Sequence, residues 1–164
     1  MAIRSLNHAV LYVRDAERTA RFWTDVLDFE VAHAFPGGVF LRAPRSTNDH
    51  DLALFSIGEA AGGPTAGRST VGLYHLAWEV ERLGDLEQLG ARLEAAGALV
   101  GASDHGASKS LYAKDPDGIE FEVCWCVPAE QVTEGMAPVR PLDLPAELAR
   151  FGPDAKSRLA HAAR

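Results

Sequence analysis

The chain has 164 residues, of which 47% are hydrophobic and 24% are charged, a length and composition typical of one folded domain with a substantial core. The formal net charge of −7 leaves no basic surface for nucleic-acid phosphates. A membrane-spanning helix needs about 18 consecutive apolar residues, and no segment of the sequence comes near that length. Because the start also lacks the pattern of a secretory leader, we expect a cytoplasmic protein whose partner is a small molecule, with neither nucleic acid nor membrane as a partner.

The first predicted elements are a strand, a helix and three further strands. Residues 5–13 resemble a strand, and Asp15 can cap a helix that continues to about Leu27, with apolar residues at helical spacing. Three short extended runs follow, separated by turn residues, at 29–34, 39–42 and 51–57. This order predicts a βαβββ module over residues 1–57.

The same order returns after a Gly-rich connection at residues 58–70. A strand is predicted at 72–80, and Asp85 is a candidate cap for a helix that ends at Gly97, a residue favoured just beyond a helix. The extended runs of this copy are 98–102, 109–114 and 119–125, the last two joined by a turn at 115–118. We therefore predict the α+β class, with modules 1–57 and 71–126 in one domain, 1–126.

Residues 127–164 form a predicted C-terminal extension that contains five of the nine prolines. Short helices are expected at 144–151 and 155–163, packed outside the sheets and without chemistry of their own. The two cysteines, Cys124 and Cys126, lie two apart in a strand, where a mutual disulfide is awkward. We interpret them as packing residues.

Two histidines occupy matching positions in the two modules. The segments LNHAVLYV and LYHLAWEV share the pattern L-x-H-x-x-x-x-V, which places His8 and His75 67 residues apart. If the copies pair about a pseudo-twofold axis, the two imidazoles meet at one point. A carboxylate from the last strand would complete a metal site, and both Glu120 and Glu122 lie on the same face of that strand.

A family resemblance supplies a choice between these glutamates. The segments LNHAVLYV, YHLAWEV and YAKDPDGIEFEVCW look like the vicinal oxygen chelate superfamily, which includes glyoxalases, bleomycin-resistance proteins and dioxygenases. The resemblance implies a curved mixed sheet around a metal cleft, followed here by the helical tail. In that family the ligand glutamate lies four residues after the turn glycine. Gly118 therefore points to Glu122, with Glu120 as a residue of the strand entry or rim.

The number of ligands discriminates among the chemistries of this superfamily. Glyoxalase I and related epimerases resemble this architecture but use a fourth protein ligand from the last strand of the first module. The centre of that strand is apolar here, and only Asp51 at its mouth keeps that alternative open. Two His and one Glu are the set associated with Fe(II) oxygenases that have open positions, with Mn(II) as the other candidate ion.

Two further segments resemble those of extradiol catechol dioxygenases. In NDHDLALF the resemblance makes His50 the acid–base residue. In DHGASKSLY it assigns His105 and Tyr112 to the substrate hydroxyls. The gap between His105 and Tyr112 is shorter than in the longer two-domain enzymes, which leaves the register of His105 open. The tail segment RPLDLPAELARFG is also similar to tails of this group. The remaining His33 and His161 match no motif, and Trp23, Trp78 and Trp125 are expected to pack in the core.

The resemblance therefore implies an Fe(II)-dependent extradiol dioxygenase that cleaves a small aromatic diol with O2, and it favours a homodimer or larger homo-oligomer. The alternatives are a glyoxalase-like enzyme, a fosfomycin-resistance-type thiol transferase and a non-catalytic ligand-binding resistance protein. The transferase would need a basic cluster, for which only Lys109 and Lys114 are near the motifs.

Overall fold

A computed structural model of the chain describes residues 3, 5–65, 69–132 and 139–158. The chain divides into two compact units. Unit 1 contains Met1–Pro64 with Asp115–Gly118, and unit 2 contains Thr65–Lys114 with Ile119–Arg164. Each unit contains one βαβββ sequence of elements, so the predicted α+β class and the tandem modules are confirmed.

Unit 1 is a four-stranded mixed sheet with one helix on one face. Its elements are β1 (Ala9–Val13), α1 (Ala16–Leu27), β2 (Glu30–Phe35), β3 (Gly38–Arg42) and β4 (Leu52–Ser56). The sheet order is β1-β4-β3-β2; the β1–β4 pair is parallel and the other two pairs are antiparallel.

Helix α1 begins where the sequence predicts. The carboxylate of Asp15 accepts a hydrogen bond from the backbone N–H of Arg18 at 2.8 Å, which satisfies one of the donors that a helix start leaves open. Trp23 and Leu27 are buried on the face of the helix that packs against β3 and β4. One face of the sheet therefore packs against α1, and α1 does not cover the opposite face.

The turn Asp115–Gly118 belongs to unit 1, and its Asp117 side chain bonds to residues at the start of α1. Its carboxylate accepts hydrogen bonds from the Arg14 backbone N–H at 2.9 Å, from the Arg14 guanidinium at 2.9 Å and from the Arg18 guanidinium at 2.8 Å. The Asp117 side chain is nearly buried. Sequence reasoning predicted only a turn here, since its partners lie about a hundred residues away.

Unit 2 contains a five-stranded mixed sheet. Its elements are β5 (Leu76–Glu79), α2 (Leu83–Ala95), β6 (Leu99–Asp104), β7 (Ser108–Lys114), β8 (Glu120–Cys126), a short 3-10 helix (Ala129–Gln131), β9 (Arg140–Pro141) and α3 (Leu144–Phe151). The sheet order is β5-β8-β7-β6-β9, and the β5–β8 pair is parallel.

The ends of α2 follow from local sequence and from the tail. Asp85 is the third helical residue and accepts from the Arg82 backbone N–H at 3.1 Å, so it caps from inside the helix. At the other end Gly97 has φ +65°, and the N–H groups of Gly97 and Ala98 close a Schellman motif. The predicted end of α2 at Gly97 is thus confirmed.

The C-terminal extension packs against unit 2 in three places. Helix α3 has the predicted bounds, 144–151, and β9 pairs with β6. The carbonyls of Pro153 and Ala155 accept the N–H groups of Gly84 and Leu83 at the start of α2. The expectation of a helix at 155–163 is wrong for its described part, because Lys156 forms an isolated β-bridge with Arg82; residues 159–163 lie outside the described residues.

A buried ion-pair cluster holds α3 against the sheet. Lys109 is almost fully buried on β7, and its ammonium group lies 2.5 Å from Asp104 and 3.2 Å from Glu147 of α3. A cavity of about 180 Å³ lies beside this cluster. Burial acts to raise the pKa of Asp104, but hydrogen bonds from Lys109 and the Gly106 N–H outweigh it, and the pKa is below its ordinary value.

The α-helices within the described ranges have 8 to 13 residues. None of them is long and apolar enough to cross a membrane.

Candidate functional site

In unit 1 the sheet places His8 beside His50. His8 directly precedes β1 and His50 lies shortly before β4, and these strands are parallel neighbours in which Ala9 lies opposite Leu52. The two imidazole centroids are 4.5 Å apart, with the rings tilted by 42°. Two of the predicted site residues thus form one pair at the entry to the parallel strands.

The ring of His8 has one nitrogen engaged and one available. Nδ1 lies 2.7 Å from the side-chain oxygen of Asn7. Because that oxygen can only accept, the neutral tautomer that forms this hydrogen bond has its proton on Nδ1. Nε2 then has a lone pair. A metal-binding histidine in proteins has this arrangement, in which the second nitrogen donates to a neighbouring oxygen and fixes the tautomer.

The carboxylate of Asp51 holds the loop that carries His50. It accepts hydrogen bonds from the Ala43 backbone N–H at 2.9 Å, from the Ser46 hydroxyl at 2.7 Å and from the Asn48 amide at 2.8 Å. The same Asn48 amide donates to the backbone carbonyl of Asn7 at 2.9 Å. One nearly buried carboxylate therefore orders both the loop before His50 and the residue before His8.

This network gives Asp51 a positioning role that sequence reasoning missed. Its two carboxylate oxygens accept three hydrogen bonds, which give the side chain a structural role in this loop. The cluster Asn48, Asp49, His50 and Asp51 stands out in the sequence. Its partners Ala43 and Asn7 could not be identified without the fold.

In unit 2 the sheet places His75 beside Glu122. His75 directly precedes β5, which pairs in parallel with β8, and Nε2 of His75 lies 3.0 Å from a carboxylate oxygen of Glu122. The two side chains are 23% and 13% exposed. Glu120 lies two residues earlier on β8, opposite Lys114. Of the two glutamates that the sequence left open, Glu122 is the one in contact with His75.

The His75–Glu122 pair has the geometry of two neighbouring ligands of one ion. Donor atoms at about 2.1 Å from a metal and at a right angle to each other are about 3.0 Å apart, which matches the observed distance. The other ring nitrogen, Nδ1 of His75, is buried without a hydrogen-bond partner among the described residues. The donor set and its spacing fit a divalent metal ion.

Tyr112 and His105 extend this cluster. Tyr112 on β7 lies opposite Glu122, and its ring centroid is 5.7 Å from that of His75. Its hydroxyl is 2.8 Å from Nε2 of His105. Sequence spacing left the register of His105 open, and the structure brings it to Tyr112. Burial, with a further contribution from the charge of Glu122, raises the pKa of Tyr112 above its ordinary value, so the phenol stays protonated.

The structure thus brings the predicted residues together as two clusters, His8 with His50 in unit 1 and His75, Glu122, Tyr112 and His105 in unit 2. Over the parts of the chain that the structure describes, no three His, Cys, Asp or Glu side chains form a group able to hold a metal ion. The full ligand triad remains a prediction.

Other side chains singled out by the sequence have structural surroundings. Trp23 and Trp125 are buried as expected, and the Trp125 indole donates to the Ala155 carbonyl at 2.9 Å. Cys124 and Cys126 are free thiols on β8. His161 lies outside the described residues.

Comparison with known proteins relates the chain to one family. The model of the Glyoxalase/Bleomycin resistance protein/Dioxygenase superfamily matches residues 5–123. A Catechol-2,3-dioxygenase of Bacillus subtilis (strain 168) is 34% identical over 125 residues, which are 72% of this chain and 40% of that protein. A Biphenyl-2,3-diol 1,2-dioxygenase 3 of Rhodococcus globerulus is 33% identical, over 80% of this chain and 69% of that protein.

A third relative is a Manganese-dependent 2,3-dihydroxybiphenyl 1,2-dioxygenase of Geobacillus genomosp. 3, which is 26% identical over 81% of this chain and 40% of that protein. The chain thus spans well under half the length of two of these three relatives.

Solved structures resemble the fold. A glyoxylase/bleomycin resistance protein/dioxygenase domain from Frankia sp. EAN1pec superposes with a TM-score of 0.62 at 23% identity and covers 80% of this chain and 98% of that one. The fosfomycin resistance protein FosX of Mesorhizobium loti superposes with a TM-score of 0.58 at 22% identity, over 80% of this chain and 100% of that one. At these identities the likeness concerns the fold alone.

Proposed function

The chain belongs to the glyoxalase/bleomycin resistance protein/dioxygenase superfamily, and from this premise we propose that it is an Fe(II)-dependent extradiol dioxygenase that cleaves a catechol-type diol with O2. The observation that carries the proposal is the pair of clusters at equivalent places in the two modules. Each contains one motif histidine beside a further histidine or a tyrosine suited to proton transfer or hydrogen bonding to a diol. The dioxygenase names of two relatives above 30% identity support the same class.

His8, His75 and Glu122 are the proposed ligands. His8 offers Nε2 because Nδ1 is engaged by Asn7, and the His75–Glu122 pair has the spacing of adjacent ligands. These three residues would hold a bound Fe(II) or Mn(II), which would supply activation of the diol and electron transfer to O2. Fe(II) is our first choice, and Mn(II) is the alternative that one relative's name suggests.

His50 is the proposed acid–base residue. It lies next to a proposed ligand, at a ring separation of 4.5 Å from His8, and is half-buried. From there its imidazole takes a proton from a diol hydroxyl and later returns it to the departing oxygen. The Asp51 network holds the loop in place, so the ring does not have to be ordered during the reaction.

Tyr112 and His105 are proposed to orient the diol. The phenol of Tyr112 stays protonated because its pKa is raised by burial and by Glu122. It can therefore donate a hydrogen bond to a substrate oxygen. Nε2 of His105 contacts the same hydroxyl at 2.8 Å, which makes His105 a positioning residue for Tyr112.

The competing activities lack support from the described side chains. A thiol transferase of the fosfomycin-resistance type would need a cluster of cations near the site. Of the two lysines near the motifs, Lys109 is buried beside Asp104 and Glu147, on the face of β7 opposite Tyr112. Lys114 shares the Tyr112 face of β7, where it lies opposite Glu120, and is a single cation. A glyoxalase I would need a fourth ligand, and Asp51 is engaged elsewhere. A non-catalytic ligand-binding protein would need no metal, so metal analysis of the loaded protein separates it from the proposed enzyme.

The test is anaerobic loading with Fe(II) or Mn(II), metal analysis, and then a panel of diols in air. We expect about one bound ion per chain and a yellow ring-opened product, with one O2 consumed per diol. Glu122→Ala should lose the metal, whereas Glu120→Ala, the matched control two residues away on β8, should keep it. Metal-free protein after loading, or loaded protein that cleaves no diol, would contradict the proposal.

We also propose the cytoplasm as the compartment, since the two free thiols on β8 suit reducing surroundings. A homodimer or larger homo-oligomer is proposed as the assembly, and light scattering at several protein concentrations tests it.

A further inference from the structure

The cavity of about 180 Å³ in unit 2 is separate from the candidate metal site. Its lining includes Arg140, Glu147, Arg150 and Phe151 of the C-terminal extension and Asp104 and Lys109 of the sheet. Lys109 lies on the face of β7 opposite Tyr112, so the cavity is on the other side of this strand from the proposed diol-orienting residue. Because one water molecule has a share of about 30 Å³ in the liquid, the cavity has room for a small organic molecule.

The side chains that line the cavity carry an excess of positive charge. Lys109, Arg140 and Arg150 are cations, whereas Asp104 and Glu147 are anions, so the positive charges outnumber the negative ones by one. Both carboxylates lie against the buried ammonium group of Lys109, at 2.5 Å and 3.2 Å. The chain as a whole has a net charge of −7, which makes a local positive excess notable. One negative charge on a ligand would balance the lining.

Arg150 has the arrangement of an anion-binding residue. Its guanidinium carbon lies 4.6 Å from the centre of the Phe151 ring, a distance at which the ring holds the cation. Glu147 is 4.0 Å away, too far for a hydrogen bond, and the Arg150 side chain is half-exposed. Its N–H donors are therefore accessible to a ligand, and a guanidinium can bind a carboxylate through two parallel hydrogen bonds.

A second guanidinium and an apolar surface complete the lining. Arg140 of β9 lies opposite Asp104 in the pairing of β9 with β6. Phe151 and Val127 contribute apolar atoms to the same cavity. A pocket that combines a few charged groups with apolar surface fits a ligand with a charged end and an apolar body. Inorganic phosphate and sulfate have no such body.

We propose that this cavity binds a small organic monocarboxylate, whose carboxylate pairs with Arg150 and Arg140 and whose short apolar body contacts Phe151 and Val127. The inference does not rest on the proposed dioxygenase function, because none of the residues proposed to hold the metal or the diol lines the cavity. It gives the C-terminal extension a binding role, whereas the sequence predicted no chemistry for this segment.

The experiment is calorimetric titration of the protein with sodium butyrate at neutral pH. We expect one butyrate per chain with a Kd of about 1 mM or lower, a value within the range for a ligand of this size. Arg150→Gln should weaken binding about 10- to 100-fold, the value of hydrogen bonds to a charged group, and Arg140→Gln should act in the same direction. Arg21→Gln is the matched control, because it removes the same group from an exposed position on α1.

Three further ligands separate the parts of the proposal. Butanamide keeps the apolar body without the charge, acetate keeps the charge with a shorter body, and inorganic phosphate has the charge alone. Each should bind more weakly than butyrate. Equal or tighter binding of butanamide would exclude charge recognition, and equal or tighter binding of phosphate would make the cavity an inorganic anion site; either result overturns the proposal.

Thermal unfolding and metal removal supply two independent readouts. Butyrate should raise the Tm of the wild type more than that of Arg150→Gln, since a ligand that binds only the folded state stabilises it. The affinity for butyrate should be the same in Fe(II)-loaded protein and after chelation, and loss of binding on chelation would place the carboxylate at the metal instead. Absence of saturable binding, or an affinity that both arginine substitutions leave unchanged, also overturns the inference. None of these results bears on diol cleavage, which the metal and diol assays test separately.

Discussion

Replacement of Asp51 by Asn tests whether one carboxylate positions both histidines of unit 1. The substitution keeps the shape of the side chain but turns one acceptor oxygen into an NH2 group. That group would face a donor, either the Ala43 backbone N–H or the pair formed by the Ser46 hydroxyl and the Asn48 amide. The Asn48 amide would then be displaced from Asp51 and would lose its hydrogen bond to the Asn7 carbonyl as well.

The size of the effect follows from these contacts. A hydrogen bond to a charged group contributes about 1.5–3 kcal/mol. The Asp51→Asn side chain would retain some of the three bonds and lose the charge behind all of them, so we expect a loss of about 2–4 kcal/mol in the free energy of unfolding. For a chain of 164 residues this corresponds to a fall in Tm of about 4–16 °C.

Thermal and urea unfolding followed by circular dichroism measure this loss. The control is Asp49→Asn, which removes the same charge from an exposed residue two positions away and should change stability by less than about 0.5 kcal/mol. In addition, NMR resonances of the His8 and His50 rings should broaden or shift in Asp51→Asn only. Equal behaviour of the two variants would refute the reasoning.

Three further predictions concern single side chains. His50→Ala should keep metal and anaerobic diol binding but lose about 10²–10⁴ in turnover, and loss of metal from this variant, measured by metal analysis, would make His50 a ligand instead. Tyr112→Phe should lower kcat/KM about 10- to 100-fold, the equivalent of one hydrogen bond to a charged oxygen; because the Tyr112 pKa is raised, wild-type rates should show no loss from its ionisation between about pH 7 and 9. Asp104→Asn should destabilise the protein at neutral pH: the folded-state pKa of Asp104 is lowered, so the contribution of its carboxylate is present above about pH 4 and is lost as pH falls through the lowered value. Urea unfolding of the wild type and of Asp104→Asn across that pH range measures this contribution. A stability difference between the two proteins that grows as the pH falls would contradict the prediction.

The sequence predicted those features whose causes lie close together along the chain. Asp15 caps α1 through an N–H three residues away, and Gly97 closes α2 within its own last turn. The duplicated pattern around His8 and His75 predicted two modules because it repeats a whole unit. Local chemistry of this kind can be identified without the fold.

Features that depend on distant partners could not be predicted in this way. Asp117 was interpreted only as a turn residue, yet it binds Arg14 and Arg18. Lys109 was considered as a site cation, yet strand alternation turns it away from Tyr112 and toward Glu147 of the tail. In both cases the residue type was informative, and what was missing was the partner that decides its role.

The candidate site shows the same division. Resemblance alone points to His50 as a site residue, and its surroundings come from side chains that no motif contains. Asp51 fixes its loop through contacts with Ala43 and Ser46, and Phe40 packs edge-on against its ring. A few motif residues therefore suffice to propose a site, but not to describe its surroundings. The contact of Phe40 with His50 becomes apparent only when β3 and β4 pair and place a phenylalanine of one strand beside a histidine that precedes the other.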